Sequence, residues 1–414
     1  MSEILGSVPP PNGVQSLLRD ALSHYAAADV FSQLDVPPFA NSALDGFAVL
    51  AADTECAEAE NPVKLRVIGT APAGLPFAGV VGVGTAVEIM TGAPIPAGAT
   101  GIARVEITRR LSPEWVEILQ PVKPGLGVRG AGADTKRGDL LIEVGDLFTP
   151  ARIGLMASCG ISEVLAFRKP RIALCTGGDE IIPHDSAHPL ASGQIYDSNS
   201  PMLETLLSTW GFPSDLLGRM PDTLSGVKAI LERGMAYDVL VTTGGVSMGR
   251  LDYVRPALKE LGFSEKFWKL NQQPGGPISY GLLGKTMVFG LPGNPVSAYF
   301  CAELYLRAAL LNFSGARNHL HPEIEVVVGE RLTKEHRKTA FLRGVLKGPK
   351  NRLSAVRNGP QDSNLIRSLC EADGYIVFPS ESSLLEAGHK AKFILTKPAK
   401  LAEILSEEHK EGST

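Results

Sequence analysis

Three apolar runs in the middle and second half of the chain each break off into a glycine-rich loop. Arg171–Cys175 runs into Thr176-Gly177-Gly178-Asp179-Glu180, Asp238–Val241 into Thr242-Thr243-Gly244-Gly245-Val246-Ser247-Met248-Gly249, and Thr286–Phe289 into Gly290-Leu291-Pro292-Gly293-Asn294-Pro295. Short runs of Val, Ile and Leu are what buried parallel strands require, and in open α/β sheets ligands bind beyond the carboxyl ends of such strands. Glycines there let backbone N–H groups approach an anion, and the N-terminus of a following helix adds a partial positive charge. The expected ligand therefore carries phosphate.

At 414 residues the chain exceeds what one hydrophobic core usually supports. Its 44% hydrophobic and 20% charged content is that of a globular, enzyme-like chain. A net charge of −4 provides no field that attracts polyanions, which excludes nucleic acid as a partner and leaves any anion to local groups. Cys56, Cys159, Cys175, Cys301 and Cys370 are scattered, odd in number and without a CxxC pair; they read as reduced core residues of a cytosolic protein. No signal peptide or membrane span is visible, since Glu303 and Arg307 break the apolar stretch Ala298–Leu311.

The spacing predicts a helix over Val14–Ala28, then a β-rich segment from about Asp35 to Leu147 with strands at Lys64–Ile68, Ala86–Ile89, Gly101–Arg104 and Trp115–Leu119. A helix at Ala151–Cys159 follows. From Arg171 the pattern alternates strand with helix, the helices being Ser200–Trp210, Thr223–Arg233, Asp252–Leu261 and Ser297–Leu310. Ser200 before Pro201 reads as a helix start, and Asp222 as the cap of the helix beginning at Thr223. This alternation implies right-handed crossovers and a parallel sheet. After His319 the runs Glu323–Val328, Phe341–Leu346 and Gly374–Phe378 form a small β-rich tail. The fold class is thus multidomain α/β and β: a central three-layer α/β domain with a mostly parallel sheet, a β-rich N-terminal module and a small C-terminal β domain.

Four motifs carry a family resemblance: Phe39-Ala40-Asn41-Ser42-Ala43-Leu44-Asp45-Gly46-Phe47-Ala48, Ile89-Met90-Thr91-Gly92-Ala93-Pro94-Ile95-Pro96, Thr242 to Gly249 with Asp252-Tyr253, and Gly290 to Ser297. In order and spacing they resemble the MoeA family, the molybdopterin molybdenumtransferases, related to the E domain of gephyrin. The resemblance runs from about Asp35 to about Ser380. It implies an L-shaped homodimer of four-domain subunits, with domains at 1–45 plus 146–169, 46–145, 170–318 and 319–405. It also implies a cytoplasmic reaction in which adenylylated molybdopterin and molybdate, with Mg²⁺, give molybdenum cofactor and AMP, and a molybdopterin adenylyltransferase as the partner that supplies the substrate.

Cleaving a phosphate anhydride calls for a hard divalent cation held by carboxylates, because the metal bridges phosphate oxygens and neutralises developing charge. Glu180 and Asp252 are the candidate metal ligands and catalytic residues, each following a sheet strand. Glu180 matches the glutamate of the family's Thr-Gly-Asp-Glu motif, although the extra glycine here leaves the register of Asp179 and Glu180 open by one residue. A turn or helix-cap role is the alternative for all three carboxylates. Asp45 and Thr91 are assigned to the catalytic set by resemblance; without it, Leu44-Asp45-Gly46 reads as an Asp-Gly hairpin turn. Asp134 matches a further family aspartate. The candidate pterin- and nucleotide-binding residues are Asn199, Gly244, Gly245, Ser247 and, in the rigid loop before a helix N-terminus, Pro292, Asn294, Pro295 and Ser297. Ser247 and Asn199 read equally well as helix caps.

The chain departs from the family at one segment. After Phe267-Trp268-Lys269 the family usually has Lys-Pro-Gly-Lys-Pro, whose lysines help bind the oxyanion; here the stretch is Gln273-Pro274-Gly275-Gly276-Pro277. Losing one charge-assisted contact to a desolvated anion costs about 1.5–3 kcal/mol, so losing two weakens binding roughly a hundredfold or more unless compensated. Lys269, Arg343 and Ser363 match other family positions for the oxyanion, and Lys285 is an additional candidate. His184 and His188 are four apart but flanked by Pro183 and Pro189, which argues against a zinc-binding helix. Two functions remain open at this point: an active Mg²⁺-dependent molybdenumtransferase, and a divergent non-catalytic paralogue that carries molybdopterin or scaffolds assembly.

Overall fold

The computed structural model describes residues 1–244, 253–349 and 353–397. They form two compact units, one of residues 1–14, 23–27 and everything described from 166 onward, the other of 15–22 and 28–165.

The first unit is built around a six-stranded sheet of β1 (Ile172–Gly177), β2 (Ser214–Met220), β3 (Val239–Thr243), β4 (Ser264–Trp268), β5 (Ser279–Leu283) and β6 (Thr286–Leu291). Its order is β2-β1-β3-β6-β5-β4. The first four are mutually parallel and β5 is antiparallel to both of its neighbours, β6 and β4, so the sheet is mostly parallel, as the strand-helix alternation predicts. Side chains alternate between two cores, because successive residues of a strand face opposite ways. Ile172, Leu174, Val239, Val241, Met287 and Phe289 lie in one apolar cluster, while Ala173, Cys175, Leu240 and Val288 lie in another.

Helix α1 (Asn199–Thr209) and the run of α4 (Pro295–Cys301), a π-helical turn (Ala302–Leu306) and α5 (Arg307–Phe313) supply the first cluster; α2 (Leu224–Gly234) and α3 (Val254–Glu260) supply the second. These are the three layers. Two predicted caps differ. Helix α1 begins one residue before Ser200, and the oxygens that cap it are those of Asp197, which accept from the Ser200 amide at 3.0 Å and its hydroxyl at 2.6 Å. Helix α2 is capped by Thr223, whose hydroxyl accepts from the Gly226 amide, leaving Asp222 free of that role.

In the same unit, strands Glu323–Val328, Thr339–Lys347, Ser354–Arg357, Gly374–Phe378 and Lys390–Leu395 pair into a closed five-membered ring, and Gln272–Gln273 adds to Thr339–Ala340 in parallel.

The second unit holds another six-stranded sheet, including Gly46–Val49, Val63–Ala71, Thr85–Ile89, Gly101–Arg104 and Trp115–Ile118, and a helix Pro150–Ser158 capped by Thr149. The predicted helix over Val14–Ala28 is absent. Gly13–Leu17 is a strand, Leu18–Ala21 a single 3-10 turn, and Ser23 has φ +62°. The cause is tertiary: the Leu18 amide donates to Ser162 and Ala26 bridges Ala166, and those pairings outweigh a weak helical spacing.

Cys159, Cys175 and Cys301 are buried, but Cys56 and Cys370 are exposed, which corrects the reading of all five as core. Among the described residues no helix is long and apolar enough to cross a membrane.

Candidate active site

The glycine loops start side by side because their strands are neighbours in register: Thr176 lies beside Thr243, and Thr243 beside Leu291. The chain leaves β1 for β2 on one side and returns with β3 on the other, so a crevice opens between β1 and β3 at their carboxyl ends. A cleft of about 770 Å³ occupies that place, of a size that suits a nucleotide-sized ligand. Thr176, Gly177, Thr243 and Gly244 form part of its lining. Glycine is required at 244, where φ is +75° and a Cβ would stand 3.0 Å from the Gly177 carbonyl oxygen.

Six of the residues predicted from sequence line this cleft: Glu180, Asn199, Gly244, Pro292, Asn294 and Pro295. Of the two acidic residues after the extra glycine, Glu180 lines the cleft, its carboxylate folded close over Gly178, whose φ of +125° and missing Cβ leave room for it. Asp179 instead donates its amide to Asp222 Oδ2 at 3.3 Å, and its carbonyl accepts from Arg219. The loop Pro292–Pro295 is tied down on both sides: Asn199 Nδ2 donates to the Gly293 carbonyl at 2.8 Å, and Asn294 Nδ2 to Ser363 Oγ at 2.8 Å.

Other predicted residues stand behind the lining. Ser297 is buried and accepts from the Gly275 amide. Ser363 also accepts from the Val296 amide through its carbonyl. Arg343 is fully buried; one guanidinium nitrogen donates to Pro360 and Asp362 carbonyls, while Nε and Nη1 have no partner among the described residues. Burial pushes its pKa down from the ordinary arginine value. Lys269 is exposed with φ +75° and lies over the Trp268 ring. Lys285 sits in the turn before β6, at the far end of the strand from the loop, six residues or about 20 Å away; it cannot serve the cleft. Gly245, Ser247 and Asp252 lie outside the described residues.

At the altered segment, Gly276 is not open space: a Cβ there would lie 3.0 Å from the Gln272 carbonyl oxygen, whereas Gln273 is exposed.

In the second unit Asp45 and Thr91 are brought together, the Thr91 amide and hydroxyl both donating to Asp45 Oδ1 at 2.6 and 2.9 Å. The amide first, then the hydroxyl, holds the exposed carboxyl below its usual pKa. Gly46 is no turn residue. It opens the strand Gly46–Val49, with the Ala103 carbonyl so near that no Cβ fits. Asp134 is exposed in the same unit.

Sequence reasoning did not place Asp197, Asp222, Ile195 and Tyr196 at the site, yet all line the cleft. For Asp222 the signal was its position just past the carboxyl end of β2. For the others it lay in contacts between segments distant in sequence.

Comparison with known proteins covers most of the chain. Residues 1–160 match the MoeA N-terminal region (domain I and II), 173–312 the "Probable molybdopterin binding domain", and 325–396 the MoeA C-terminal region (domain IV). A protein of Staphylococcus aureus (strain COL) named molybdopterin molybdenumtransferase is 30% identical over 92% of this chain and 90% of its own length. One of Mycobacterium tuberculosis, named molybdopterin molybdenumtransferase 2, is 34% identical over 90% and 92%. The solved structure of a molybdopterin biosynthesis MoeA protein from Pyrococcus horikosii superposes with a TM-score of 0.77 at 30% identity, covering 95% of this chain and 97% of that one. With the motifs in order, the three-layer α/β domain and relatives alike over 90% or more of the chain, this chain belongs to the MoeA family.

Proposed function

We propose that this protein is a molybdopterin molybdenumtransferase, which uses molybdate and adenylylated molybdopterin and releases AMP. The observation that carries the reading is the cleft at the carboxyl ends of β1, β3 and β6, walled by glycine loops and by the carboxylates of Glu180 and Asp222. Glycine loops suit the phosphates, and helix α4 directly follows the Pro292–Pro295 loop. The carboxylates suit a hard divalent cation.

Mg²⁺ usually takes one or two carboxylates and completes its shell with substrate phosphates and water. Glu180 and Asp222 fit that demand as oxygen donors, even though the described residues contain no group of three or more ligands that could hold a metal by themselves. Bound there, the ion would neutralise charge on the phosphate oxygens. The protein's own part is to orient the anhydride against the backbone of the three loops.

Arg343, matched to the family's oxyanion-binding positions, is fully buried behind the cleft lining, where its guanidinium donates to the Pro360 and Asp362 carbonyls and so braces the segment that carries Ser363. A homodimer, a cytoplasmic location and supply of the substrate by a molybdopterin adenylyltransferase complete the proposal on the strength of the family resemblance.

The test is single-turnover release of AMP from adenylylated molybdopterin by the full chain with Mg²⁺, at increasing molybdate. Molybdate-dependent release is the expected result. Tight binding without release, which Gln273 and Gly276 would favour, identifies a carrier or scaffold instead. Glu180→Ala is expected to abolish metal-dependent turnover and leave the fold intact.

A further inference from the structure

Beside the glycine loops the cleft has an apolar ledge of a different character. Residues Ile181–Ile182 and Ile195–Tyr196 form a two-stranded parallel pair between β1 and α1, with Ile181 opposite Ile195 and Ile182 opposite Tyr196. Ile195 and Tyr196 both line the cleft, yet they remain 55% and 45% exposed. Large apolar side chains with that much exposed surface at the wall of a cleft gain free energy when a ligand covers them. No aromatic stacking partner claims the Tyr196 ring among the described residues.

The ledge is held firmly. The Ile195 amide donates to the Glu180 carbonyl at 3.0 Å and the Asp197 amide to the Ile182 carbonyl at 2.7 Å. From β2, Arg219 reaches across and donates to the carbonyls of Asp179 and Ile181 at 3.2 and 3.0 Å. On the other side, Asp197 is anchored by Ser200 at the start of α1. Tyr196 is therefore fixed immediately before a capping residue and level with the segment that carries Glu180. A tyrosine so placed offers a flat, amphipathic face at low entropic cost, which is how proteins hold planar heteroaromatic rings.

We infer that Tyr196, backed by Ile195, is the platform on which a planar heteroaromatic ring of the substrate lies, while the loops of β1, β3 and β6 hold the phosphates. The inference rests on the proposed function, whose substrate carries two such rings, adenine and pterin.

The experiment measures dissociation constants of AMP, ribose 5-phosphate and 6-carboxypterin for the full chain and for Tyr196→Phe, Tyr196→Leu and Tyr196→Trp. Tyr196→Leu keeps an apolar side chain but removes the ring, and is expected to weaken one ring ligand by about 5- to 150-fold, the range set by base–aromatic stacking. Tyr196→Phe should stay within about twofold of the unsubstituted protein, ribose 5-phosphate should be unaffected throughout, and the Tyr196→Trp fluorescence should be quenched by the same ring ligand. Weakening of AMP alone assigns the platform to adenine; weakening of 6-carboxypterin alone assigns it to pterin. Unchanged affinity for both rings overturns the platform but leaves the proposed function standing. Equal loss for ribose 5-phosphate also overturns it, since that is the mark of a collapsed ledge. If the unsubstituted protein binds none of the three, both the platform and the proposed function fall.

Discussion

Asn199, at the first turn of the helix after the apolar ledge, donates its side-chain amide to the carbonyl of Gly293 in the loop before α4, at 2.8 Å. The two residues are 94 positions apart, and the bond fixes one wall of the cleft against another. The nitrogen that sequence reasoning offers to a ligand is engaged within the protein.

Asn199→Ala should therefore act through the loop. The expected result is a loss of about 0.5–1.5 kcal/mol in stability and a weaker affinity for AMP. Asn199→Asp should bind AMP more weakly still, because it adds a negative charge beside the phosphate cradle. Titration calorimetry with AMP decides it; an affinity of Asn199→Ala equal to that of the unsubstituted protein would refute the positioning role.

Asp45 and Thr91 form a pair whose electrostatics can be read directly. Both donors come from Thr91, so Thr91→Val removes the hydroxyl and keeps the amide. The carboxyl pKa of Asp45, followed by NMR, should lie below the usual 3.8 and move part of the way back in the variant, while Thr91→Ser keeps it low. A value unmoved by Thr91→Val would leave the amide as the only donor that matters.

The two glycines of the altered segment should behave differently. Gly275 has φ +75°, and a Cβ there would stand 2.4 Å from the Cys301 sulfur, so Gly275→Ala should cost about 2–4 kcal/mol. Gly276 has no positive φ and a Cβ there would meet only the Gln272 and Leu270 carbonyl oxygens, at 3.0 and 3.4 Å, so Gly276→Ala should cost about 1 kcal/mol. Denaturant melts compare the two directly.

Gln273 is exposed, so Gln273→Lys should be tolerated and should tighten molybdate binding, roughly threefold to tenfold for one partly solvated charge. Titration with molybdate measures it. Affinity unchanged by the lysine would show that the oxyanion is held away from this segment.

Acid should destabilise the α/β sheet through Asp238. Partial burial opposes its ionisation, but the two Arg168 hydrogen bonds at 2.8 and 2.9 Å, the Arg171 amide and the nearby cations outweigh that and hold its pKa below 3.8. A carboxyl whose folded pKa is depressed adds stability above its unfolded pKa and loses it as pH falls through the folded one. The contribution, about 1–2 kcal/mol after allowance for partial exposure, should thus be present at neutral pH and fade below about pH 4. Melts of Asp238→Asn against the unsubstituted protein should show a gap that is steady from pH 7 down to about pH 4 and narrows as the pH falls further; a gap that stays constant throughout the acid range would rule out titration of this group.

Much of the architecture is local information and was readable. Val239–Val241 and Met287–Phe289 are too short and too continuously apolar for anything but buried strands, and the glycines that follow mark where the backbone must turn. From that, the parallel sheet, its three layers and the side of the sheet that binds ligand all follow. The helix starts are legible only approximately: the helix expected from Ser297 begins at Pro295, and Thr223, expected as a first helical residue behind an Asp222 cap, is itself the cap.

What only the tertiary structure decided depends on contacts between residues far apart in the chain. Val14–Ala28 has helical spacing yet pairs with the segment around Ser162–Ala166, because partner strands outweigh a few tenths of a kcal/mol of local preference. The backbone of Asp179 is held by Arg219 of β2 and by Asp222 just past the end of that strand, while Glu180 lines the cleft. That Asn199 faces inward to Gly293, and that Tyr196 is left exposed on a braced ledge, is likewise set by segments tens of residues away. A sequence states which groups a chain carries and where its backbone can bend; which hydrogen-bonding groups are satisfied within the protein, and which are left for a ligand, is determined by what folding brings beside them.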